Sequence, residues 1–210
     1  MMKQIVAIVG DYYHREADSK ASLLAALQTE AGAGEMNIRF VGREQLIEAL
    51  SERPDAVILF AEDRLAPERD ENARWMTPEA AAQIVRYVEA GGGWLAWHSG
   101  LASYDPQGEY VKMLRGHFLM HPNEHQPVTY TGDSGSFQIL DEHYFVECDT
   151  ERTEVFLRSS SVDGESIAGW KHAHGAGRVA CFTPAHRPEG LLNENVLKQL
   201  RDCVVWCSGE

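Results

Sequence analysis

Three scarcities narrow the field before any motif is read. Positive charge is short: 19 Lys and Arg against 32 Asp and Glu leave the 210-residue chain at −13. A field of that sign repels phosphate backbones and anionic lipid surfaces, so neither nucleic acid nor membrane is an expected partner. Cysteine is scarce as well. Cys148, Cys181, Cys203 and Cys207 form no Cys-x-x-Cys pair and no regular framework, so they read as core thiols of a reducing compartment. Long apolar runs are missing. Residues 5–9 stop at Gly10 and Asp11, too short for a signal-peptide core or a membrane span, and a cytoplasmic protein is the expectation.

What is present is an ordinary globular composition, 44% apolar and 24% charged, of a length that suits one domain over residues 1–210. Strand and helix signals alternate along the first half. Residues 5–9 and 56–60 are continuous apolar runs, as expected of strands buried on both faces of a parallel sheet. Residues 37–41 and 94–97 supply two more strands. Helices are expected from about Ser19, around Leu46 and Leu50, and from Thr77-Pro78-Glu79, where a cap residue, a proline and an acid follow one another. The polar stretch 62–76 reads as a loop. The second half is β-rich, with strands expected at 128–130, 153–157, 167–172 and 178–182 and a turn at Gly175-Ala176-Gly177. An amphipathic helix from about Asn193 closes the chain. The expected fold is α/β: a single doubly wound, mostly parallel sheet with a β-rich insertion in the second half.

Ligands of such sheets bind beyond the carboxyl ends of the strands, and three expected strands end in histidine: Asp11-Tyr12-Tyr13-His14, His98-Ser99-Gly100 and Thr183-Pro184-Ala185-His186. Of nine histidines, only His14 lies outside the stretch 98–186. Ala96-Trp97-His98-Ser99-Gly100 looks like a nucleophile elbow, with small residues on either side of the tip. An imidazole occupies the tip where an amidotransferase-type fold carries cysteine, which disfavours glutamine hydrolysis; a merely packed histidine is the alternative. His117, His121 and His125 have helical spacing that Pro122 interrupts, and His125 reads as a surface residue. Asp141-Glu142-His143-Tyr144 concentrates acid–base groups, although Asp141 could simply cap a helix. Trp170, His172 and His174 would share one strand face, with Trp170 either a sugar platform or core.

These pieces together resemble the trehalose-utilisation (ThuA-like) family, whose fold is similar to class I glutamine amidotransferases and flavodoxin-like sheets. The resemblance rests on Gly91-Gly92-Gly93 leading to His98-Ser99-Gly100, on Gly116-His117-Phe118 with His121-Pro122, on Phe137 with Asp141-Glu142-His143-Tyr144, and on Trp170 followed by Gly175-Ala176-Gly177 and His186. Two departures stand out: residues 130–136 lack a His-Pro-Ile-like segment, and the Gly-His of the last motif reads Ala185-His186. The resemblance implies a carbohydrate ligand, a sugar or keto-sugar derivative.

On this reading His98 and Glu142 transfer protons, with Asp141 and His186 completing the catalytic set. Tyr104, His117, His121, His143, Tyr144, Trp170 and His174 are the candidate substrate contacts. No cofactor is required by the sequence, but imidazoles with a carboxylate would suit Zn²⁺ at a histidine cluster. A small-molecule carbohydrate is the expected partner, with a homo-oligomer open. The reading from another class is a non-catalytic sugar- or protein-binding module that has lost the amidotransferase cysteine.

Overall fold

The computed structural model describes residues 1–133 and 135–209. Ser134, inside the segment 130–136 discussed above, and Glu210, at the end of the expected domain, lie outside them. In chain order the elements are β1 (Lys3–Val9), α1 (Glu16–Ala26), α2 (Gln28–Gly32), β2 (Met36–Phe40), α3 (Leu46–Ser51), β3 (Ala56–Phe60), β4 (Arg64–Ala66), β5 (Asp70–Arg74), α4 (Pro78–Glu89) and β6 (Gly93–Trp97). There follow α5 (Glu109–Leu114), β7 (Gly116–Met120), β8 (Gln126–Gly132), β9 (Gly135–Asp141), β10 (Phe145–Cys148), β11 (Glu154–Ser161), β12 (Gly164–His174), β13 (Gly177–Phe182), α6 (Pro188–Leu191) and α7 (Glu194–Cys207).

One nine-stranded sheet organises the chain, in the order β2-β1-β3-β6-β13-β12-β11-β8-β9. The five strands from β2 to β13 are parallel, and the remaining pairs are antiparallel. The β-rich second half thus lengthens the central sheet. Two short ribbons, β7 with β10 and β4 with β5, are added to it. Residues 62–76 are therefore not a plain loop but carry a hairpin.

The buried runs of β1, β3 and β6 explain the layering. Alternate residues point to opposite faces, and each face is covered. Ile5, Ala7, Ile58, Phe60 and Trp97 pack with Leu23 and Leu27, and with Val196, Leu200 and Val204 of α7. On the other face Val6, Ile8, Val57, Leu59 and Trp94 meet Leu46 and Leu50, Ile84 and Val88, and Tyr110 and Leu114. Thr77 caps α4, its Oγ1 accepting from Ala80 N, ahead of Pro78. Such a cap contributes about 1 kcal/mol. Asn193 does the same for α7.

Register positions the site. Val9 pairs with Phe60, and Phe182 with Trp97, so β1, β3, β6 and β13 end level with one another. β9 runs in the same sense as β13, and the antiparallel half curls until Asp141 Oδ1 accepts a hydrogen bond from His186 N at 2.8 Å. Segments distant in sequence thereby meet at one sheet edge.

Candidate active site

The elbow after β6 forms as its sequence requires. His98 adopts φ 47°, in the left-handed region where a non-glycine residue is held only by its surroundings. At Gly100 a Cβ would stand 2.1 Å from the Leu59 carbonyl oxygen, so no side chain fits. The His98 ring lies between Tyr144, stacked at 4.3 Å, and Phe60 at 5.3 Å.

Three imidazoles are fixed from behind. His98 Nδ1 is 2.6 Å from the Thr183 carbonyl, which can only accept, so Nδ1 carries the proton and Nε2 is left with a lone pair. His14 Nδ1 sits 2.6 Å from Asp11 Oδ1. Burial works against ionised Asp11, yet His14 and backbone N–H donors, including Glu62 N, hold its carboxyl well below the usual range. His186 is anchored by its backbone N–H on Asp141.

The forward-facing atoms of these rings, His14 Nε2, His98 Nε2 and His186 Nδ1, are buried without a hydrogen-bond partner. They converge on Glu142. Its Oε2 lies 3.8 Å from His98 Nε2 and 3.3 Å from His186 Nδ1, the latter without hydrogen-bond alignment. Its Oε1 faces a second pair, His125 Nε2 at 3.4 Å and His121 Nε2 at 3.8 Å. Burial would raise the Glu142 pKa, but His186, His98 and His121 outweigh it and bring it down to about 2. Burial, and then the neighbouring His14, push His98 well below the ordinary histidine value. Burial also disfavours protonated His186, but Glu142 beside it more than compensates and raises that pKa.

Ligand atoms of His14, His98, Glu142 and His186 lie within 4.8 Å of one another, so this cluster could hold a metal ion. The donor set fits one. Three imidazole nitrogens and a carboxylate oxygen suit zinc and similar divalent ions, and the Asp11–His14 and carbonyl–His98 contacts are the outer-shell bonds that orient such ligands. A cavity of about 310 Å³ opens beside the cluster, lined by Tyr13, His14, Arg15, His125, His186 and Arg187 among others.

Of the residues singled out in the sequence, His98, Glu142, His186, His121 and Tyr144 meet here. The others do not. Asp141 is fully buried, caps no helix and supports the site from behind, accepting from Tyr130 Oη at 2.9 Å as well as from His186 N; burial raises its pKa to about 7. His143 turns away between Glu142 and Tyr144 and meets Ser161 Oγ at 2.7 Å and Ser159 Oγ at 3.0 Å. Trp170 is core, its indole N–H donating to the Leu114 carbonyl at 2.8 Å. His174 ends β12, which runs opposite to β13, so it sits at the far edge near Glu89. His117 pairs across from Glu147 in the β7–β10 ribbon. Tyr104 is buried with its hydroxyl on the Ala61 carbonyl at 2.5 Å.

His14 and Asp11 were visible as a strand end but not placed in the site. His125 is not a bystander on the surface: it faces Glu142. Its signal was the His121-x-x-x-His125 spacing, which a loop can use as well as a helix.

A doubly wound sheet with an elbow after a central strand, and a histidine–carboxylate cluster at the ends of its strands, defines an α/β protein consistent with the class I glutamine amidotransferase-like fold. The chain belongs to the trehalose utilisation family, ThuA, whose model matches residues 6–207. A ThuA-like protein of Parabacteroides merdae superposes with a TM-score of 0.74 at 12% identity, covering 100% of this chain and 91% of that one. One from Bacteroides uniformis gives 0.67 at 16%, covering 98% and 89%. A β-galactosidase of Bacillus circulans gives 0.64 at 10%, with 97% of this chain matching 30% of that enzyme. At such identities these likenesses speak to fold. No curated protein matches the chain in sequence. Among the described residues no helix is long and apolar enough to cross a membrane.

Proposed function

We propose that the chain is a carbohydrate-metabolism enzyme acting on a sugar or keto-sugar derivative, with a divalent ion such as Zn²⁺ held by His14, His98, Glu142 and His186. One observation carries this reading: three buried imidazole nitrogens, each without a hydrogen-bond partner, grouped around the same carboxylate. Burying three unmet polar atoms together costs several kcal/mol unless a ligand meets them. When bound, such an ion supplies Lewis acidity toward a carbonyl or hydroxyl oxygen.

The residues divide the remaining work. His98 and Glu142, the expected proton carriers, serve better as holders, because His98 is sealed between two rings and Glu142 is shared among imidazoles. His125 and His121 are partly exposed, and His125 lines the cavity. They are placed to take the proton next to a sugar carbonyl and to return it elsewhere, which is the chemistry of isomerisation or elimination. Tyr144 and Phe60 keep water from the back of His98.

The test is product analysis. Wild-type protein supplied with Zn²⁺ is expected to convert a 3-keto-glycoside, followed by chromatography. A His98→Asn, Glu142→Gln double variant is expected to lose that turnover at least ~100-fold. Asparagine tolerates the left-handed backbone at 98. Turnover that survives both changes rejects the assignment, and sugar binding without any product favours the non-catalytic module.

A further inference from the structure

We infer that the sugar taken by this site carries a carboxylate, received by Arg187 and Arg15. The inference rests on the reading of the cluster as a sugar site and adds the class of substrate. A cavity of about 310 Å³ is at the small end for ligand pockets, matching one monosaccharide rather than a disaccharide.

Its rim departs from the rest of the molecule. In a chain of net charge −13, two arginines line the opening: Arg15, which leads into α1, and Arg187, which follows His186 directly. Among the described lining residues Asp18 is the one carboxylate. Each guanidinium contacts an acid through Nε, Arg15 with Asp18 at 3.5 Å and Arg187 with Glu189 at 3.4 Å. The Glu189 side chain is 74% exposed and that of Arg15 79%, so water screens both contacts and they hold the arginines weakly. A planar carboxylate offers a guanidinium two parallel hydrogen bonds, a better partner than either.

Tyr13 supplies the second feature. Its ring is 49% exposed on the cavity wall, with Arg64 over it at 5.7 Å. A phenol ring of this kind suits the C–H face of a pyranose. With the carboxylate on the arginines and the ring along Tyr13, the sugar's remaining oxygens face His125, His14 and His186, which line the same cavity. The two buried acids nearby do not oppose this. Asp11 is covered by His14 and backbone donors, and Glu142 by four imidazoles.

Calorimetry of the full chain with D-glucuronate, D-glucose and sulfate, with and without added Zn²⁺, decides it. Glucuronate is expected to bind at least ~10-fold tighter than glucose, a margin set by one charge-assisted pair. Arg187→Gln should bring that ratio close to one and Arg15→Gln should reduce it, with zinc content unchanged in both. Equal affinities, no glucuronate binding, sulfate binding as tight as glucuronate, or a ratio untouched by both variants would overturn the inference. Selective glucuronate binding by a protein that holds no zinc and changes no sugar refutes the proposed function alone. Zinc uptake with a preference for glucose refutes only the inference.

Discussion

At His98 the backbone and the chemistry depend on each other. A left-handed histidine is tolerated because stacking on Phe60 and Tyr144 and the hydrogen bond to Thr183 hold it there, and because Gly100 lets the turn pass close to β3. Gly100→Ala therefore collides with backbone rather than with a side chain that could move aside. It is expected to destabilise the fold by about 2 kcal/mol or more, read as a lowered midpoint in urea. Asp11 makes a different prediction. It sets the His14 tautomer without facing the cluster, so Asp11→Asn should keep the fold but weaken Zn²⁺ binding by roughly 10–100-fold, measured by chelator competition. Unchanged zinc affinity would remove Asp11 from the supporting shell.

At the scale of elements, strand direction sorts the histidines. β12 carries Trp170, His172 and His174 on one face, as alternation predicts, but that face packs on α5, and the strand leads away from the site. Trp170→Phe should cost about 1–2 kcal/mol by leaving the Leu114 carbonyl with the weaker Cys181 thiol in place of the indole N–H, with sugar binding unaffected. His172 is neutral in the fold: burial lowers its pKa to about 4 despite its hydrogen bond to the Met113 carbonyl. Between that value and the ordinary one the unfolded chain binds more protons, so this contribution to stability is complete above about pH 6.5 and is lost as pH falls toward 4. At pH 5 the loss is at most about 2 kcal/mol. Unfolding curves at pH 7 and pH 5 should converge in their difference for a His172→Gln variant.

Much of this was legible from sequence where a local rule operates. The buried runs of β3 and β6, the Thr77-Pro78 helix start and the elbow glycine each follow from neighbours in the chain. β7, β9 and β10 were not read, because their half-exposed residues show little of the alternation that marks a strand; Leu119, Met120 and Leu140 even point outward. His174 lies away from the site, and Trp170 is core rather than a sugar platform, for a related reason. A strand face can be read from alternation, but which end of the sheet a strand reaches is set by its partners.

At the scale of the whole molecule, the site exists because parallel strands end level and an antiparallel extension returns to the same edge. Asp11 to His14, His98, His121 to Glu142 and His186 span most of the chain, and only register brings them together. The acidic balance of the chain, −13, is interrupted locally by Arg15 and Arg187 at the cavity mouth. An ion bound by His14, His98, Glu142 and His186 would tie four segments to one another. Zn²⁺ at ~100 times its Kd should thus stabilise the protein by about 2.7 kcal/mol, seen as a raised Tm. Elemental analysis of untagged protein, wild type beside a His14→Ala, His186→Ala variant, shows whether the histidine–glutamate cluster binds an ion. About one divalent ion per chain is expected in the wild type and none in the folded variant. A wild-type protein that takes up no ion after incubation with zinc, or a variant that keeps its ion, would contradict the proposed metal site.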